Sequence, residues 1–125
     1  MDIRKDLAEK NHDAYLSDVA TTLNNLGILL NDENETVLAK SYYEEALEIS
    51  RVLAEKNPDM YLSDVATTLD NLGTLLGDEN EIELARINYE EALGITRKLA
   101  KKNPDVYLPD IGRILINLGN LSRTS

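Results

Sequence analysis

The chain has no cysteine and no tryptophan, so disulfides, thiolate metal sites and cysteine nucleophiles are excluded at the outset. It has one histidine, His12, and only three prolines and six glycines in 125 residues. With so few breaks, and with 42% apolar and 29% charged residues, the composition is that of one ordered domain with little strand character. No apolar run reaches the roughly 18 residues of a membrane helix, and no basic stretch followed by an apolar one opens the chain. The expectation is a soluble, cytoplasmic protein. Positive charge is scarce as well: 13 basic against 23 acidic residues give a formal charge of −10. Such a surface repels phosphate backbones and anionic lipid, which argues against nucleic acid and membrane as partners. It would steer a basic peptide or protein favourably, and it also serves simple solubility.

What is present is a repeat. Tyr15 opens YLSDVATTLNNLG, Tyr61 opens YLSDVATTLDNLG and Tyr107 opens YLPDIGRILINLG, with 46 residues between successive copies. Residues 11–56 and 57–102 are identical at 32 of 46 positions, and a partial third unit follows at 103–125. A period of this length marks a solenoid, in which each unit covers the apolar face of its neighbour. Val19, Leu23, Leu26 and Leu30 are spaced by four, three and four residues, as along one side of a helix. A second helix is expected over 36–56, carrying Leu38, Ala39, Tyr42, Tyr43, Ala46, Leu47, Ile49 and Leu53, with its copy over 82–102. Gly77 and Asn31 are candidates for left-handed helix ends, and Asn80 with Glu83 for a reciprocal N-terminal cap. Asn57-Pro58 and Asn103-Pro104 should close the second helices, and Pro109 should fall in the first turn of the next one.

These residues resemble the tetratricopeptide-repeat pattern. Leu23, Leu26, Gly27 and Leu30 stand for its first group, Ala39, Tyr43 and Ala46 for its second, and Leu69, Leu72, Gly73, Leu76, Ala85, Tyr89 and Ala92 repeat them. Leucine replaces the usual Trp and first Tyr, the terminal Pro is missing, and the period of 46 exceeds the usual repeat of about 34. The long unit and the TLNNL segment at Thr22 to Leu26 are similar to the repeats of kinesin light chains. The resemblance implies an all-α superhelical solenoid of antiparallel helix pairs that works as a non-enzymatic protein-interaction scaffold.

Advancing about 100° per residue from the apolar stripe places Thr21, Asn25 and Ile28 together on the face turned away from it, with Asn24 beside them. The copies are Thr67, Asn71 and Thr74, then Arg113, Asn117 and Asn120. By the resemblance this face lines a groove, so that a peptide would lie across Asn25, Asn71 and Asn117. A carboxamide both donates and accepts, and a row of them can pair with main chain of any sequence. The alternative is that the asparagines bond within the fold. Arg113 could read a carboxylate or merely offset local acid.

Other constellations are weaker. Glu44-Glu45 and Glu90-Glu91 are adjacent on a helix with no histidine repeated nearby, which suits a solvated face. His12 has Pro58 as its counterpart, so no metal site is assigned. Asp32 to Glu35 and Asp78 to Glu81 lack the spaced ligands and central glycine of a calcium loop. No nucleophile, general base or cofactor-binding loop emerges, and neither catalytic residues nor cofactors are expected.

Residues 1–10 carry RKDLAEK, an echo of RVLAEK before Asn57, and read as the end of a preceding second helix. At the other end Ile114 replaces Thr68 and Ile116 replaces Asp70. Such a gain of aliphatics on a last helix is either a lid over the preceding helix or a contact for a second copy in a homodimer.

Overall fold

The computed structural model describes the backbone of residues 3–124 and the side chains of residues 10–121. These residues form five helices and no strand: α1 (Ile3–Asp32), α2 (Thr36–Lys56), α3 (Pro58–Asp78), α4 (Ile82–Lys102) and α5 (Pro104–Thr124). Each helix packs chiefly on its neighbours in the chain, while α1 with α3 and α3 with α5 make narrower contacts. The architecture is the expected all-α repeat solenoid.

The joints have two chemistries. Between α2 and α3 a single residue, Asn57, is held at φ −146° by the proline that follows, and its side chain accepts the Met60 N–H at 3.3 Å. Pro58 then opens α3 where no N–H is needed. Between α1 and α2 the helix is ended by Asn34 at φ 64°, and between α3 and α4 by Asn80 at φ 65°. At the first joint the Asn34 and Glu35 amides donate back to the Asn31 and Leu30 carbonyls at 3.0 and 2.8 Å. At the second, Asn80 and Glu81 donate to Gly77 and Leu76 at the same distances. This paired closure satisfies carbonyls that the helix end would otherwise leave bare.

Three local expectations change accordingly. Gly77 and Asn31 stay inside their helices, and the left-handed position falls to the asparagine three residues on. Asn80 is therefore the residue that stops α3 and does not cap α4; Glu81 precedes α4 without a side-chain cap. Pro109 lies past the first turn of α5, because Pro104 already opens that helix. Its ring is exposed, so the carbonyl deprived of a partner can turn to water.

Residues 3–10, read from sequence as the end of a separate helix, run without interruption into α1. The cause is His12, which stands where the later units have Pro58 and Pro104 and so does not expel the residue before it from the helical region.

The core is continuous through the middle of the chain. Leu53, Val65, Leu69, Tyr89, Ala92 and Ile114 belong to one buried cluster, and Tyr43, Leu72 and Leu75 to a second. Burial of each such leucine contributes about 1.5–3 kcal/mol. The α1 copies of these positions are less covered: Tyr15 is 63% exposed against 7% for Tyr61, and Leu29 53% against 0% for Leu75. The difference follows from packing, because α3 lies between α2 and α4 whereas α1 has only α2 on one side.

Within a pair, the crossing is set by Gly27 against Tyr43 and Gly73 against Tyr89. A Cβ at Gly73 would come 2.6 Å from the Tyr89 ring, and the ring is itself buried. Gly94 and Gly119 have open space at the same point. Gly73→Ala should therefore lose stability, because the overpacking cost of about 1–3 kcal/mol exceeds what alanine gains in a helix. Gly94→Ala should gain about 0.5–1 kcal/mol from helix propensity alone. Urea denaturation of the two variants, side by side, measures both signs.

Candidate functional site

The first helices, α1, α3 and α5, share a polar face stitched by side-chain bonds between units. Asn24 Nδ2 donates to Thr68 Oγ1 at 2.8 Å, and Thr68 Oγ1 donates in turn to the Asp64 carbonyl at 3.0 Å. Asn71 Nδ2 donates to Asn24 Oδ1 at 3.3 Å. One repeat later the set is rewritten with charge. Asp70 stands for Asn24, accepting from Asn117 Nδ2 at 3.2 Å through one oxygen and from Arg113 Nε at 3.0 Å through the other. Arg113 Nη1 also donates to Asp110 Oδ1 at 2.8 Å. The substitutions go together: Ile114 removes the hydroxyl that Thr68 offered, and a carboxylate at Asp70 needs a donor, which Arg113 supplies. Burial pulls the Arg113 pKa down, but its bonds to Asp110 and Asp70 outweigh this and raise it.

The nine groove residues sort into three places. Thr21, Asn25, Ile28, Thr67 and Asn71 line one hollow of about 260 Å³ together with Ala20, Asn24, Ser50 and Asp64. Thr74, Asn117 and Asn120 line another of about 250 Å³ with Gly77, Asp78, Tyr89 and Leu121. Arg113 lies in a narrow space of about 30 Å³ beside Thr67, Thr96 and Asp110. Several of the nine are already engaged. Asn71 and Asn117 bond to the preceding first helix, Thr21 and Thr67 bond back to the Ser17 and Ser63 carbonyls, and Thr74 Oγ1 lies 2.8 Å from the Tyr89 hydroxyl. Asn25 is exposed and makes no side-chain hydrogen bond among the described residues.

The two residues singled out for self-association are separated by the fold. Ile114 is 2% exposed and packs into the core as a lid over α4, so it offers no surface to a second copy; Ile116 is 65% exposed. The change at Ile114 is the one that Thr68, also buried, would lead one to expect: it faces inward in both units.

Sequence reasoning missed Ser50 and Asp64. Ser50 is 1% exposed and Asp64 is partly covered; among the described residues the Ser50 hydroxyl has no hydrogen-bond partner and Asp64 has no ion pair. Burial pushes the Asp64 carboxyl up from its ordinary range. The available signal was the recurrence of aspartate at Asp18, Asp64 and Asp110, and of a small hydroxyl residue at Ser50 and Thr96 within an otherwise apolar stripe. Tyr43, also buried and near Asp32, is pushed up to about 12 and stays a neutral phenol at ordinary pH. Among the described residues no helix is long and apolar enough to cross a membrane.

A family model for the tetratricopeptide repeat matches residues 18–98, and the chain belongs to that family. Its members are generally protein–protein interaction modules. A search of curated proteins finds no match.

Two substitutions test the stitching. Asp70→Ala leaves Asn117 without its acceptor and Arg113 with Asp110 alone, and should cost about 1–3 kcal/mol, whereas Asn71→Ala removes one neutral bond and should cost about 1 kcal/mol. Asp64→Asn should act in the opposite direction. The folded-state pKa of Asp64 is raised, so its charge costs stability that is fully felt above that pKa and vanishes below the unfolded value. The variant should therefore melt above the parent at pH 7 and level with it near pH 3, which thermal unfolding at the two pH values measures.

Proposed function

We propose that this chain is a non-enzymatic interaction module that holds an extended or helical segment of a partner protein along the face of its first helices. What supports the reading is the hollow between α1 and α3, where Thr21, Asn25, Ile28, Thr67 and Asn71 come together and the Asn25 carboxamide makes no hydrogen bond among the described residues. A main-chain amide and carbonyl of the guest would complete that carboxamide, while Ile28 offers apolar contact. Asn71 contributes mainly by fixing α3 to α1. The net charge of −10 favours a basic guest and disfavours nucleic acid or a membrane surface. The 46-residue unit supports a reading of the chain as one of the long-repeat, kinesin light chain-like branch of its family, acting as a cytoplasmic scaffold. The units are residues 11–56, 57–102 and a partial one at 103–125.

Selection from a displayed random-peptide library tests this. Convergent peptides are expected, and Asn25→Ala should weaken them about tenfold, the equivalent of one or two lost hydrogen bonds, without changing stability. Failure of any sequence to converge, or binding indifferent to Asn25→Ala, would count against the groove.

A second reading, a homodimer or other self-assembly through α5, draws on the exposure of Leu108, Leu115 and Ile116 along that helix. Light scattering coupled to size exclusion should then show molar mass rising with concentration, and Ile116→Ser should abolish the rise. A constant monomer mass in the parent sinks it.

A further inference from the structure

The hollow between α1, α2 and α3 has a copy one repeat later, and the copy is occupied by the protein itself. Ala66, Thr67, Thr96, Asp110 and Arg113 surround the second position, where Ala20, Thr21, Ser50, Asp64 and Thr67 surround the first. In the second, the Arg113 guanidinium reaches Asp110 at 2.8 Å and Asp70 at 3.0 Å, and only about 30 Å³ remains open. In the first, Thr67 stands in place of the arginine and about 260 Å³ is open. Thr96 and Ile114, larger than Ser50 and Thr68, account for part of the contraction; the arginine supplies the charge.

One of the two acceptors that serve Arg113 has its counterpart in the open position. Asp64 corresponds to Asp110 and carries no ion pair among the described residues; Asn24, in the place of Asp70, keeps the oxygen that accepts from Asn71 but has its Nδ2, bonded to Thr68, where Asp70 offers Arg113 a second oxygen. Independently, the Ser50 hydroxyl is buried at this hollow with no hydrogen-bond partner among the described residues, although a buried hydroxyl ordinarily has one. An open position that keeps a carboxylate and an unbonded hydroxyl, and whose copy is filled by a guanidinium, is a receptor for that group.

We infer that the hollow between α1 and α3 binds an arginine side chain of a partner protein, with Asp64 pairing the guanidinium and with Ser50 as a further acceptor. This assignment rests on the first-helix face being the partner-binding surface and adds the chemistry it selects. Arg113 is then an internal ligand that closes the second position, leaving one arginine site where the repeat would otherwise make two.

The test is a titration of the ¹⁵N-labelled full chain with acetyl-Ala-Arg-Ala-amide, followed by nuclear magnetic resonance. The matched peptide bears citrulline, which keeps the shape and loses the charge. Saturable shifts are expected in the Asn24 and Asn71 side-chain amides and the Thr67 backbone amide, at least tenfold weaker with citrulline. Thr67→Arg should reproduce the self-filled copy: it should abolish the shifts and raise the melting temperature, since Thr67 is exposed and Asp64 gains a partner. Asp64→Asn should weaken binding at least tenfold in a protein that remains folded. Shifts that are absent, equal for citrulline or unaffected by Thr67→Arg would overturn the assignment. Library peptides that depend on Asn25 yet bind the Thr67→Arg variant as tightly as the parent would overturn it while leaving the groove reading in place.

Discussion

Each helix pair is held at a distance set by a tyrosine ring lying where a side chain would otherwise be. Gly27 and Gly73 leave that space, Tyr43 and Tyr89 fill it, and the buried alanines Ala39 and Ala85 lie in the same second helices. Close approach fixes which residues of the first helix face inward, and hence which face outward. The polar row of α1, α3 and α5 is the remainder left by that choice. Because the notch recurs every 46 residues, bonds such as Asn71 to Asn24 and Asn117 to Asp70 can form between successive units at matching positions.

The repeat, the helix pairing and the limits of α2 and α4 were legible in the sequence because they rest on periodicity and on proline, both local signals. Helix ends governed by longer geometry were harder. Asn80 looked like a cap for α4, yet closure of α3 requires a residue tolerant of positive φ three positions beyond Gly77, and asparagine serves there. Continuity of α1 through residue 12 depended on reading His12 as an absent proline. Ile116 and Ile114 differ in burial because they project to different sides of α5, and a change of residue type says nothing about direction unless it is traced around the helix.

At the polar face the spacing found Asn25, Asn71 and Asn117 but could not tell a bonded asparagine from an unbonded one. That distinction depends on whether an earlier unit presents an acceptor. Asn71 has Asn24 and Asn117 has Asp70, whereas no such acceptor faces Asn25 among the described residues. Ser50 and Asp64 escaped because each is unremarkable on its own helix; their relation exists only across the α2 and α3 packing. Comparing the two copies was more informative than either alone, since Asp70, Arg113 and Ile114 changed as a group where Asn24, Thr67 and Thr68 stood.

The one-after-another packing of the helices also bears on how the chain acquires its structure. Every substantial interface joins helices adjacent in sequence, and the connections are no longer than a three-residue turn. Closing such short loops costs little entropy, so the search for native contacts is local and folding should be fast for a chain of this length. α3 has a helix of the chain on each side and the longest set of buried positions, which makes it the natural place for order to begin. Structure would then spread outward pair by pair, and α1 and α5 could exchange with solvent while the centre stays protected.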